Sequence, residues 1–271
     1  MITFNKIALS GAPNARDLGG YETTDGRRIK PKRLLRSGEL SRTTEEDRRI
    51  LTEEYNLKTV IDFRTDTERL DKPEIGIPGV EFIHLPIIDE STLGITREKP
   101  AEREMFGDLF GELSKKNQSP EEYMASVYQS ICTTDFSLKQ YGTFFDILLN
   151  QTDGAVLWHC SAGKDRVGLG TALLLLALDV PREIIIEDYL FTGTCLQAEI
   201  DAAASLLAPR MPDVDTASLV QCLLGVRRSY IDTLFDTISR TEKPVSEFLR
   251  DTVNLDKQKI LDLKKLYLEN K

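Results

Sequence analysis

Cys160 and Arg166 are the two residues of this chain whose types and spacing can do chemistry together. They lie within His159-Cys160-Ser161-Ala162-Gly163-Lys164-Asp165-Arg166-Val167-Gly168. The apolar run Gly154-Ala155-Val156-Leu157-Trp158 ahead of them predicts a buried strand, and the run from Leu169 to Leu178 behind them predicts a helix. The cysteine is therefore expected at the mouth of a strand–loop–helix turn. A thiol attacks only as thiolate. A helix start favours an anion, because it offers unpaired N–H groups and the positive end of the macrodipole. The small residues Ser161, Ala162 and Gly163 let successive amides curl inward as a nest. Arg166 adds a planar fork suited to two phosphate oxygens. This set supports in-line attack of the Cys160 sulfur on phosphorus, with a covalent intermediate that water later hydrolyses. The phosphate would lie among Ser161, Ala162, Gly163, Lys164, Asp165 and Arg166. No metal or other cofactor is called for. A bare cysteine-x5-arginine spacing arises by chance. His159, Gly163, Gly168 and the strand-then-helix context make the match specific and oppose reading Cys160 as a structural residue at a tight turn.

These residues resemble the cysteine-dependent protein phosphatases. Gly163-Lys164-Asp165-Arg166 narrows the resemblance to bacterial tyrosine phosphatases with a phosphoinositide-phosphatase-like loop, the triple-specificity or atypical lipid phosphatase group. Asn14-Ala15-Arg16-Asp17-Leu18-Gly19-Gly20-Tyr21, Leu34-Leu35-Arg36-Ser37-Gly38, Val60-Ile61-Asp62-Phe63-Arg64 and Gly225-Val226-Arg227 are similar too. The resemblance covers most of the chain, with about 90 to 135 the least matched. It implies hydrolysis of phosphotyrosine, with phosphoserine, phosphothreonine or phosphoinositides as further substrates. It implies that Lys164 pairs with a second phosphate on an inositol ring; a solvated loop lysine is the plain alternative. Asn14, Arg16 and Asp17 are implied near the pocket, against the alternative of an ion pair that pins the N-terminal segment. Asp62 and Arg64 read as a structural pair, and His159 as a support for the loop. The leaving oxygen needs a general acid. Two aspartates compete for that role: Asp165 within the loop, and Asp89 after the strand that carries Phe82 to Ile88. One departure is Val167, where the wider class usually has serine or threonine. Valine has no hydroxyl to donate to the sulfur, so a slower second step is expected. A phosphate-binding module of weak or no turnover is the runner-up reading; sulfur transfer on a similar loop ranks last.

A chain of 271 residues fits one large α/β domain or two small ones. Without a linker or an internal repeat, a single domain over 1–271 is expected. Hydrophobic content of 41% and charged content of 29% fit an ordinary globular protein. The net charge of −9 argues against nucleic acid as a partner and against broad attraction to anionic membranes. Arg97, Lys99, Arg103, Lys115 and Lys116 either supply a local basic patch or are the solvated face of a helix. No run reaches membrane-spanning length. The N-terminus lacks a basic-then-apolar leader, so a cytoplasmic protein is expected, with export by another route still compatible. Cys132, Cys160, Cys195 and Cys222 show no close pairing, and free thiols are expected.

The elements that must position the loop follow from pattern. Strands are predicted over 32–36, 57–63 and 80–88. A helix opens with a Thr43–Glu46 capping box and runs to about Tyr55. Residues 98–132 read as two helical parts, the second starting at Ser119-Pro120-Glu121. The insertion over about 90–135 reads as a lid over the pocket, against a helical hairpin packed on the sheet. Helices follow over 137–149 and 181–189, and from about 194 onward the chain is almost wholly helical. The fold class is therefore α/β, with a central, largely parallel sheet flanked by helices and a helical C-terminal third. The site is expected at the strand C-termini.

Overall fold

The computed structural model describes residues 4–89, 113 and 117–270. Strands β1 (Asn5–Lys6), β2 (Arg16–Asp17), β3 (Leu34–Ser37), β4 (Leu57–Asp62), β5 (Glu81–His84) and β6 (Ala155–His159) form one sheet in the order β1-β2-β3-β6-β4-β5. The pairs β1–β2 and β2–β3 are antiparallel; β3, β6, β4 and β5 run parallel. Side chains alternate across the sheet with the period of two that strands impose. Val156, Trp158, Ile61 and Leu34 face the larger core. Ala155, Leu157, Val60 and Leu35 face the smaller one on the other side.

Around the sheet lie α1 (Glu45–Arg49), which continues into a π-helical turn at Ile50–Glu54, then α2 (Asp66–Asp71), α3 (Pro120–Thr133), α4 (Asp135–Asn150) and α5 (Asp165–Ala177). The rest is α6 (Arg182–Leu207), α7 (Thr216–Leu224), α8 (Arg228–Arg240), α9 (Val245–Val253) and α10 (Lys257–Tyr267). The largely parallel sheet, its flanking helices and the helical C-terminal third agree with the class read from pattern. No helix among the described residues is long and apolar enough to cross a membrane. The cysteines are all free.

Some local expectations are corrected. The first helix is capped by Thr44 with Asp47 as its reciprocal partner, one residue later than Thr43 and Glu46. Tertiary contact selects that register, because Asp47 also accepts from the amides of Ser10 and Gly11 at 2.7 and 2.8 Å. The strand predicted over 80–88 ends at His84, two residues before Pro86, which has no N–H to offer a ladder. The two helices expected after Pro181 are one, since Asp188, Thr192, Leu196 and Ile200 recur on a single buried face through Gly193. Strands β1 and β2 have two residues each, too short to leave a periodic signal in the sequence.

Two buried charge clusters fix the sheet where the site lies. In the first, Asp188 of α6 accepts from Arg16 Nε at 2.8 Å, Arg36 Nη1 at 2.6 Å and the Tyr21 hydroxyl at 2.8 Å. Burial would raise the Asp188 carboxyl, but Arg16 and Arg36 outweigh it and hold it below its ordinary range. In the second, Arg64 grips Asp62 at 2.9 to 3.2 Å, pairs with Glu74, and lies 3.5 Å from Glu39. His159 directs Nδ1 at Cys160 O, 3.2 Å away, and Nε2 at Glu74, 3.4 Å away. His159 Nε2 and Glu74 Oε2 are both buried without a hydrogen bond of good geometry. Donor atoms of Asp62, Glu74 and His159 lie within 4.8 Å of one another, spacing that a metal ion could use. Arg64 already sits on both carboxylates, so the position suits a proton better than a second cation. Burial, with Asp62 and Glu39 nearby, pushes the Glu74 carboxyl up to about 7 against the pull of Arg64. Burial pushes the His159 ring down to about 4 against the pull of Asp62.

Asp188→Asn should destabilise the fold by about 3–5 kcal/mol, because it leaves two buried guanidinium groups without their anion; urea unfolding at neutral pH measures it. The Glu74–His159 pair predicts a compensated pH response. Glu74 titrates at about 7 in the fold against an ordinary 4.5, so its stabilisation is full below 4.5 and lost as pH rises through 7. His159 titrates at about 4 against 6.5, so its stabilisation is full above 6.5 and lost as pH falls through 4. Over the shared window the two slopes oppose, and the native chain should show a shallow dependence there. Glu74→Gln should expose the His159 slope alone: urea midpoints fall as pH drops from 6.5 towards 4.

Candidate active site

The loop from Cys160 to Lys164 leaves the C-terminal end of β6 and enters α5, whose first residue is Asp165. Each of its carbonyls is drawn outward. Cys160 O faces His159 Nδ1, and Ser161 O accepts from the Glu39 amide at 3.0 Å. Asn14 Nδ2 reaches Ala162 O at 3.2 Å and Gly163 O at 2.8 Å, and Arg36 Nη2 also donates to Gly163 O at 2.8 Å. Lys164 O accepts the Gly168 amide within the helix at 2.6 Å. Among the described residues, the amides of Ser161, Ala162, Gly163 and Lys164 meet no protein acceptor. Gly163 has φ +70°, and a Cβ there would stand 2.3 Å from Ser37 O, so this position excludes any side chain. With the carbonyls held on the other side, the amides face a common centre at a helix start, and Cys160 at the head of the loop is buried.

Arg166 faces this loop through a clamp that sequence reasoning missed. Glu68 of α2 takes Arg166 Nη1 at 2.5 Å and Nη2 at 2.8 Å, and accepts from Ser161 Oγ at 2.5 Å. Arg166 Nη1 also lies 3.4 Å from Phe63 O. These contacts occupy the Nη1–Nη2 edge. They leave Nε–H and one Nη2–H, the two-donor edge that a tetrahedral oxyanion takes. Burial would raise the Glu68 carboxyl, but Arg166 and Ser161 outweigh it and hold it well below the ordinary carboxylate range. Burial opposes the Arg166 charge, while Glu68 and then Cys160 favour it, and the guanidinium stays charged. The readable signal was Thr65-x-x-Glu68. This capping box directly after β4 turns the glutamate back to the helix start, where its Oε2 accepts the Thr65 amide at 2.9 Å.

Other expected residues fall differently. Lys164 is buried: its ammonium donates to Leu223 O at 2.6 Å and Gly225 O at 3.2 Å, with Asp165 Oδ1 at 3.4 Å. Two of its three donors are thus spent on main-chain carbonyls and the side chain is buried, which ties it to the end of α7. Arg16 and Asp17 make their hydrogen bonds away from the loop. Arg16 spends its guanidinium on Asp188, Asn14 and Thr192, and Asp17 accepts from the amides of Gly19 and Lys32. Asn14 is the member of that trio that braces the loop. Asp165 stands beside the loop, and the Tyr128 hydroxyl donates to its Oδ1 at 2.5 Å. Asp89, half-buried, lies at the edge of the described residues. Val167 is fully buried in the larger core.

The lid expected over about 90–135 falls largely outside the described residues, as do Arg97, Lys99, Arg103, Lys115 and Lys116. Its described part, α3, buries Met124, Tyr128, Ile131 and Cys132. What encloses the loop among the described residues is the second half of α6 with α7. Leu196, Ile200, Leu207 and Val220 form a small cluster against which Ala162 packs, and Lys164 ties the loop to the end of α7.

The family model described as tyrosine phosphatase family matches residues 7–269. A protein named as a tyrosine-protein phosphatase in Cupriavidus necator is 30% identical over 254 residues, spanning 92% of this chain and 85% of its own length. The triple specificity protein phosphatase PtpB of Mycobacterium tuberculosis is 30% identical over 261 residues, spanning 90% of this chain and 92% of its own length. A tyrosine-protein phosphatase of Nostoc commune is 28% identical over 61% of this chain and 50% of its own length. Because the family match runs from before β2 to beyond α10, the chain belongs to the tyrosine phosphatase family.

Proposed function

We propose that the chain hydrolyses phosphomonoesters, phosphotyrosine in proteins first among them, through a cysteinyl phosphate on Cys160. The observation that carries this is the ring of inward amides at 161–164 closed by the free edge of Arg166. In the first step the Cys160 thiolate attacks phosphorus in line. The S–P bond forms and the ester P–O bond breaks, while Arg166 and the loop amides hold the equatorial oxygens. Asp165 gives its proton to the leaving oxygen; Asp89 is the competing donor. Water then attacks the cysteinyl phosphate and releases inorganic phosphate. Glu68 holds the guanidinium plane so that the fork arrives already oriented, which lowers the entropic cost of binding the transition state.

A relative that carries triple specificity in its name supports testing phosphoserine and phosphoinositides beside phosphotyrosine. Lys164 is here an anchor between the loop and α7, so it contributes to every substrate alike. The single-domain organisation over 1–271 and a cytoplasmic site of action fit this activity.

Cys160→Ser should cut phosphate release from phosphotyrosine peptides at least about a thousandfold; retained turnover would remove the cysteinyl-phosphate mechanism. Lys164→Ala should lower kcat/KM by a similar factor on phosphotyrosine, phosphoserine and phosphoinositide substrates, and a loss confined to the inositides would restore the second-phosphate role. Val167→Thr should raise the steady-state rate relative to the burst in rapid-quench kinetics, through a hydroxyl donated to the sulfur.

A further inference from the structure

We propose that Tyr128, backed by Tyr189, is a positioning residue that fixes the Asp165 carboxyl for proton donation to the leaving group. This rests on the reading of Asp165 as the general acid. Tyr128 lies on α3 and is completely buried. Its hydroxyl donates to Asp165 Oδ1 at 2.5 Å and is 2.5 Å from the Tyr189 hydroxyl. With the Tyr128 hydroxyl donating to Asp165, its oxygen accepts from the Tyr189 hydroxyl. Neither ring can drift. Tyr128 stacks on Tyr230, with centroids 5.3 Å apart, and meets Tyr189 edge-on at 6.3 Å. Tyr189 is pressed against Gly168, where a Cβ would stand 2.9 Å from its ring.

The consequence is a carboxyl with two unequal oxygens. Oδ1 receives Tyr128 and faces the Lys164 ammonium at 3.4 Å. The two contacts at Oδ1 favour carrying an acidic proton on Oδ2, the oxygen that then meets the leaving group. When the S–P bond forms and the ester P–O bond breaks, that proton passes from Oδ2 to the departing oxygen. The charge left on Asp165 is shared with Oδ1, where the Tyr128 hydrogen bond strengthens. Tyr128 keeps its own proton throughout: burial, then the neighbouring Asp165, raise its phenol well above the ordinary range. In the second step the same carboxylate accepts a proton from the attacking water.

The test is kcat/KM across aryl phosphates, from a dinitrophenol to phenol as leaving group, for wild type, Asp165→Asn, Tyr128→Phe and Tyr189→Phe. Tyr128→Phe keeps the stacked ring and removes only the hydroxyl. It should cost about tenfold on phenyl phosphate, the value of one strengthened hydrogen bond, and less than about threefold on the dinitrophenyl ester, which needs little protonation. Tyr189→Phe, which keeps the Tyr128–Asp165 contact, should steepen the leaving-group dependence by less. A uniform loss across the series in Tyr128→Phe, or a wild-type slope in both tyrosine variants while Asp165→Asn steepens it, overturns the proposal. A wild-type slope in Asp165→Asn shows instead that the reading of Asp165 as the acid has failed.

Discussion

The carboxylate of Asp188, sealed between Arg16 and Arg36, is the interaction on which the site depends. A peptide plane points its C=O and N–H in opposite directions. Amides therefore converge on a loop centre only where the carbonyls are pulled outward. Arg36 spends one hand on Asp188 and the other on Gly163 O. Arg16, held by Asp188, donates to Asn14, which in turn donates to Ala162 O and Gly163 O. Two guanidinium groups with no solvent exposure need their anion, and that anion comes from a helix that follows the loop in sequence. The orientation of the loop amides is thus set by charge pairing outside the loop.

Arg166 is held by the same logic with the signs exchanged. A free arginine beside the loop would sample many rotamers; Glu68 fixes its plane by a bidentate contact that is also hydrogen-bonded to Ser161 and to the Thr65 amide. The clamp offsets most of the guanidinium charge. In the proposed reaction, attraction for a phosphoryl group falls on the directed edge of Arg166, the loop amides and the helix start, all of which act at short range. That suits a chain of net charge −9, which does not draw anions from a distance.

Lys164 changes the meaning of the C-terminal helices. Its ammonium ends on two carbonyls at the close of α7, and Ala162 packs on the α6–α7 cluster. The loop is consequently anchored on three sides: by Asn14 just ahead of β2 and Arg36 of β3, by α2 through Glu68, and by α7 through Lys164. On the remaining side Asp165 meets Tyr128. The helices that enclose the loop are thereby part of its support as well as its wall.

The sequence by itself determined the loop from Cys160 to Lys164, its strand and helix, and the α/β class. Each is written in contiguous residues: a small-residue run between an apolar strand and an apolar helix, and periods of two and of about 3.6 that need no distant partner to be recognised. Only the tertiary structure decided what the charged and phenolic side chains do. Glu68 meets Arg166 across 98 positions, Arg16 meets Asp188 across 172, and Tyr128 meets Asp165 across 37. Lys164 looks the same in sequence whether its ammonium faces substrate or a helix end. The physical reason is common to all four. A buried ionised or hydroxyl group must be satisfied by whatever the fold brings beside it, and that neighbour is chosen by packing over the whole core.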